Sequence, residues 1–122
     1  MPCVLRGAVA GLLAAAAGTL MAATPLRAGE LAQARDYVLA ACMMARDAGT
    51  PLTAEAETWA GGLVEQGTLP GAAYVALNEL VKAIPEPPHA KDGTPMRLQS
   101  CVAFVQARDF PARVQRVLRG VR

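Results

Sequence analysis

Apolar residues recur along this chain at three- and four-residue steps, and no segment alternates apolar and polar residues in twos. Leu31, Ala34, Val38, Ala41, Cys42 and Ala45 share one face of a helix expected over Leu31–Ala48, with Arg35, Asp36, Arg46 and Asp47 largely on the other side. Gly49 is placed to end it in a left-handed conformation. A second helix is expected over Ala54–Gln66, capped by Thr53, with Glu55 and Glu57 near its positive end and Trp59, Leu63 and Val64 on its apolar side. Gly61-Gly62 weakens it by roughly 1 kcal/mol per glycine, which points to the close approach of another backbone rather than to a hinge. A third helix, Gly71–Ile84, follows Thr68 as N-cap and Pro70 in its first turn. Ala73, Leu77, Leu80, Val81 and Ile84 form its inward stripe, and Tyr74, Asn78, Glu79 and Lys82 lie around its other sides. A fourth, Pro95–Arg108, begins at Thr94-Pro95 and aligns Leu98, Cys101, Val102 and Val105, with Phe104 beside them. Asp109 caps a fifth, Phe110–Arg119, with Val114, Val117 and Leu118 inward. The expected fold is all-α, a small five-helix orthogonal bundle.

Between the third and fourth helices runs Pro85–Thr94, PEPPHAKDGT. Three prolines in four positions neither continue a helix nor join a sheet interior, and Asp92-Gly93 marks a turn. Ten residues is long for a helix–helix link in so small a domain. A stiff spacer and a pre-ordered binding loop both fit this segment.

The N-terminus changes the composition. MPCVLR is a short basic segment, Gly7–Ala23 is an uncharged apolar run, and Leu26-Arg27-Ala28 ends on a small residue. That is the layout of a secretory signal peptide, expected to span residues 1–28, with a cut after Ala34 as the second choice. Cys3 lacks a preceding apolar lipobox, and a retained anchor is disfavoured by an Ala-rich run near the lower limit for spanning a membrane. The expected domain is then residues 29–122. It loses Arg6, Arg27 and no acids, so ten basic residues face ten acidic ones and the basic balance of the whole chain disappears. Nothing in that composition points to nucleic acid. Cys3 leaves too, and Cys42 and Cys101 remain as a pair that an exported protein most often joins. Aromatic residues are few (Tyr37, Trp59, Tyr74, Phe104 and Phe110), so a covalent staple matters to a core built largely on alanine.

Little catalytic chemistry is available. His89, the one histidine, falls in the Pro-rich loop, away from any serine or cysteine placed to act as its nucleophile. His89 and two inward cysteines on separate helices do not make a metal site. CxxCH, GxGxxG and P-loop motifs are missing. Arg113, Arg116, Arg119 and Arg122 form a basic stripe that suits a helix C-terminus and solvent better than an acidic partner. The expectation is a binding protein or a chaperone, without enzymatic turnover or cofactor.

Three stretches in order resemble one family. They are YVLAACMMA (Tyr37–Ala45), AGGLVEQGTLPGAAYVAL (Ala60–Leu77) and DGTPMRLQSCVAFV (Asp92–Val105). With the N-terminal export signal, they resemble the immunity proteins that neutralise type VI secretion amidase effectors, in particular the fourth amidase-immunity family. The PEPP segment and the start of the second helix depart from the family pattern. The resemblance implies a periplasmic, all-helical, commonly dimeric inhibitor. Its partner would be a secreted peptidoglycan amidase, with a Cys–His mechanism, whose cleft it occludes. The residues expected to meet that partner are Glu86, His89, Lys91 and Asp92 in the loop, with Tyr74, Asn78 and Glu79 from the third helix. A periplasmic acid-stress chaperone is the alternative, and an envelope adaptor using the arginine stripe a weaker third.

Overall fold

The structure is a computed structural model that describes residues 25–46 and 48–121. Most of the expected signal peptide therefore lies outside the described residues. Five helices follow in order: α1 (Ala28–Arg46), α2 (Pro51–Gln66), α3 (Gly71–Lys82), α4 (Arg97–Gln106) and α5 (Phe110–Val117). No strand occurs among the described residues, only one isolated bridge between His89 and Pro95. None of the described helices is long and apolar enough to cross a membrane.

The central element is α1, which packs against all four other helices. Ala34, Val38, Ala40, Cys42 and Met43 are buried along it, whereas Ala45 is exposed. Small side chains let neighbouring backbones approach closely, and α2 accordingly buries Ala56 and Ala60 against the rest of the molecule. The larger core joins Ala34 and Val38 to Leu69, Tyr74, Leu77, Leu80, Val105, Phe110, Val114 and Leu118. A smaller one gathers Met43, Ala56 and Ile84 around Cys42 and Cys101. These two cysteines form a disulfide across 59 positions, with Cα atoms 5.8 Å apart.

Two arginines of α1 turn inward, contrary to the expected polar face. Arg35 Nε donates to the Val105 carbonyl at 3.1 Å, satisfying an acceptor in the last turn of α4, and its guanidinium lies 5.6 Å from the Phe110 ring centroid. Arg46 reaches the segment after α3, as described below. Leu26 packs on the larger core and Arg27 accepts the Leu31 N–H, so the chain just before Ala28 continues into the fold. A cut after Ala34 would remove a core alanine.

Other boundaries shift for local reasons. Pro51 at the first helical position starts α2 three residues early, with Thr50 rather than Thr53 as cap. Thr68 does not cap α3. Its N–H donates to Gln33 Oε1 at 3.0 Å and its hydroxyl accepts from Gln33 Nε2 at 3.2 Å, leaving Pro70 at the N-cap. Asp109 occupies the N-cap of α5, but its carboxylate accepts from Arg113 Nε at 2.8 Å instead of from the backbone. This bond holds the Asp109 carboxyl below its usual pKa. Arg113 also lies over the Phe104 ring at 5.3 Å, so one member of the basic stripe is engaged; Arg116 and Arg119 are exposed, and Arg122 lies outside the described residues.

Among the described residues the glycine pair in α2 has no close neighbour: a Cβ at Gly61 or Gly62 meets nothing there within 4 Å. Trp59 and Val64, expected inward, are 40% and 44% exposed. The tight glycine is Gly67, where a Cβ would collide with the Tyr74 hydroxyl and the Leu63 carbonyl. Opposite effects follow. Gly61→Ala is expected to stabilise by up to about 1 kcal/mol through helix propensity. Gly67→Ala is expected to destabilise by roughly 1–3 kcal/mol through overpacking. Urea denaturation of the two variants measures both signs.

Candidate functional site: a proline-rich finger

The segment after α3 is a short hairpin-like finger. Its two arms are joined by the Met96 N–H donating to the Pro88 carbonyl at 2.8 Å and by the Ala90 N–H donating to the Thr94 carbonyl at 2.9 Å. Its tip is a turn closed by the Gly93 N–H donating to the Ala90 carbonyl at 2.9 Å, with Gly93 at φ 87°. That left-handed φ is why glycine follows Asp92. Asp92 Oδ1 accepts the Thr94 N–H at 2.9 Å, and this backbone hydrogen bond lowers the Asp92 pKa. Prolines fix φ through the first arm, so its path is set by covalent geometry as well as by these bonds.

Both ends of the finger are tied to the last turns of α1. At its start, Arg46 Nη2 donates to the carbonyls of Ile84 and Pro85, the latter at 2.7 Å, while Nη1 lies 3.6 Å from Glu86. At its end, α4 begins at Arg97 and is stapled through Cys101 to Cys42, one helical turn before Arg46. The Ser100 hydroxyl reaches the Pro85 carbonyl at 3.5 Å, linking start and end. The last turn of α1 favours a cation because the carbonyl end of a helix carries partial negative charge. Arg46 lay on the face read as polar from the sequence. Its position one turn after Cys42 was the signal available for finding it.

The expected binding residues separate into three groups. Glu86, His89, Lys91 and Asp92 lie together on the finger and all are exposed. Asn78 and Glu79 are exposed on α3, where Asn78 Oδ1 accepts from the Tyr37 hydroxyl at 3.1 Å and Glu79 pairs with Lys82 at 2.7 Å. Tyr74, expected on an outer side of α3, is buried at 4% exposure. Its hydroxyl donates to the Leu63 carbonyl at 2.9 Å and its ring meets Tyr37 edge-on at 4.9 Å. Tyr74 is a core residue whose polar tip has found a backbone partner. Burial, and then the neighbouring Tyr37, raise its pKa. Among the described residues no group of three or more histidine, cysteine, aspartate or glutamate side chains is placed to hold a metal ion.

The Asp92 bond makes the finger tip sensitive to strong acid in a defined direction. A lowered folded-state pKa stabilises the turn above the ordinary carboxylate range, and that contribution is lost as pH falls through the lowered value. An NMR pH titration of the Thr94 amide is expected to show a midpoint below the 3.8 of an unperturbed aspartate. A midpoint at or above 3.8 would contradict the bond.

No protein-family model matches the chain, and no curated protein is detectably similar to it.

Proposed function

We propose that this chain is a periplasmic immunity protein that binds a type VI secreted peptidoglycan amidase and occludes its active-site cleft. The observation that carries the reading is the finger: exposed polar residues on a proline-stiffened hairpin anchored at both ends. A segment already held in one conformation loses little entropy when it enters a cleft. The ordered stretches resembling the amidase-immunity family, the export-like N-terminus and the disulfide, typical of an oxidising compartment, support the same reading. Lys91 and Asp92 at the tip, with His89 and Glu86 behind them, are the groups that meet the amidase's catalytic histidine or its substrate-binding residues. Asn78 and Glu79 are a second contact. Tyr74 is withdrawn from the binding set. The protein performs no turnover itself and, as the resemblance implies, works as a homodimer.

Complex formation tests the proposal. The chain from Gly29 onward is mixed with a Cys–His peptidoglycan amidase of the type VI effector class and analysed by size-exclusion chromatography with light scattering. A stable complex is expected, and a Lys91→Glu/Asp92→Lys variant is expected to weaken it. Separate elution at micromolar concentrations would sink the reading. The chaperone alternative instead expects apolar surface to open near pH 2–3, which dye binding measures.

A further inference from the structure

We infer that a shallow pocket between α1 and the end of α2 binds a neutral acetamido sugar, one ring of a glycan laid against Trp59. The inference goes beyond the inhibitor reading and does not rest on it. The pocket measures about 320 Å³ and is lined by Gln33, Trp59, Gly62, Leu63, Gln66 and Gly67, none of them part of the finger. That volume lies at the lower end of the roughly 300–1,000 Å³ of small-molecule sites, the size of a single ring rather than of a large cofactor.

Gly62 points to a ligand. Glycine inside a helix is unfavourable, and a Cβ on Gly62 meets nothing within 4 Å among the described residues, so packing there does not account for it. Position 62 follows Trp59 by three residues, on the same side of α2, and borders the pocket. A side chain at that position would fill the space beside the indole. Glycine instead leaves bare backbone that a ligand can approach closely. Gly61, its neighbour in the chain, does not border the pocket.

The lining selects the ligand's class. No lining residue is charged, so an ionic ligand finds no counter-charge in the pocket. Trp59 is 40% exposed, and an indole offers a wide apolar surface whose face is electronegative. The C–H groups of a pyranose ring are apolar and weakly positive, which suits that face. Two carboxamides supply polar contacts. Gln33 is held in place, its Oε1 accepting from the Thr68 N–H at 3.0 Å and its Nε2 donating to the Thr68 hydroxyl at 3.2 Å. Each of those two amide atoms keeps one further hydrogen-bonding position. The Gln66 carboxamide and the Trp59 N–H have no hydrogen-bond partner among the described residues. An acetamido group offers a carboxamide both a carbonyl acceptor and an N–H donor in one plane, so a sugar carrying it is favoured over one with hydroxyls alone.

Trp59 is the one tryptophan of the chain, so its fluorescence reports on the pocket directly. The chain from Gly29 onward, its helical fold checked by circular dichroism, is titrated with the trisaccharide of N-acetylglucosamine. A saturable change in emission at millimolar sugar is expected, with maltotriose and an acetylated tetra-alanine amide each binding at least about tenfold more weakly. Gly61→Ala and Gly62→Ala both strengthen the helix, but only Gly62→Ala is expected to weaken sugar binding, by at least about tenfold, because its methyl group occupies the pocket. Gln66→Ala is expected to weaken it by at least about threefold through a lost hydrogen bond, and it serves as the second variant if Gly62→Ala fails to fold. No saturable change up to about 20 mM trisaccharide, an equal response to maltotriose or to the peptide, or equal binding by Gly61→Ala and a folded Gly62→Ala would each overturn the inference. The titration contains no amidase, so its failure leaves the inhibitor reading intact, and failure of amidase binding leaves the sugar site intact.

Discussion

Replacing Cys42 and Cys101 together with alanine is expected to lower the unfolding free energy by about 4 kcal/mol. The bridge closes 59 positions, and a loop of that length constrains the unfolded chain by about this amount in the chain-entropy model. The domain can hardly spare it, since total stabilities commonly lie at roughly 5–15 kcal/mol. Much of the contact around α1 and α2 is made by alanines such as Ala34, Ala56 and Ala60, which bury little area each. Both cysteines are fully buried, so the variant also opens the smaller core around Met43 and Ile84. Urea denaturation checks the magnitude, and a loss under about 1 kcal/mol would contradict the role given to the bridge. Hydrogen exchange locates the damage: the Ala90, Gly93 and Met96 amides that close the finger are expected to exchange faster, because one of its two ties to α1 is gone.

Phe110→Ala is expected to be of similar size, about 3–5 kcal/mol, as is usual for deleting a buried phenylalanine. Phe110 is among the largest fully buried side chains. It meets Phe104 of α4 edge-on at 6.1 Å, carries Arg35 of α1 at 5.6 Å, and belongs to the larger core. Its removal leaves a cavity where α1, α4 and α5 meet, far less easily refilled than an exposed position. The exposed Trp59 gives the contrast: Trp59→Ala is expected to cost much less despite the larger side chain. Thermal unfolding of the two variants ranks them, and equal losses would contradict the assigned core.

Helical spacing revealed all five helices because each needs only local regularity. The disulfide was legible from counting, since removal of the expected signal peptide leaves Cys42 and Cys101. The finger was legible from Pro85, Pro87 and Pro88, which forbid both regular alternatives, and from the Asp92-Gly93 turn. Misread residues were those whose fate depends on a distant neighbour. Leu98 has the right spacing for burial, but no element among the described residues covers it. Tyr74 has the wrong polarity for a core, but the Leu63 carbonyl receives its hydroxyl. Arg46 looked solvent-facing, but the carbonyls after α3 come within its reach. Gly61 and Gly62 suggested a close neighbour that the described residues do not supply, while Gly67 has one. Thr68 fitted an N-cap until Gln33, 35 positions earlier, took both its groups. Periodicity states which side chains share a face; it does not state what that face meets.

The sequence of the finger fits a spacer and a binding loop alike, and the proposed function takes the second. Cross-arm hydrogen bonds, an Asp-capped turn and an arginine clamp at its base hold its backbone in one path. That fixed backbone is what the proposed inhibitory role would use.

Inhibition of peptidoglycan cleavage tests the central claim most directly. The chain from Gly29 onward is titrated into a Cys–His peptidoglycan amidase of the type VI effector class, with purified cross-linked peptidoglycan as substrate. Cleavage is expected to fall to zero near one inhibitor chain per amidase, and a variant lacking Pro85–Asp92 is expected to leave the amidase active. Full cleavage at a molar excess of the intact chain would contradict the account.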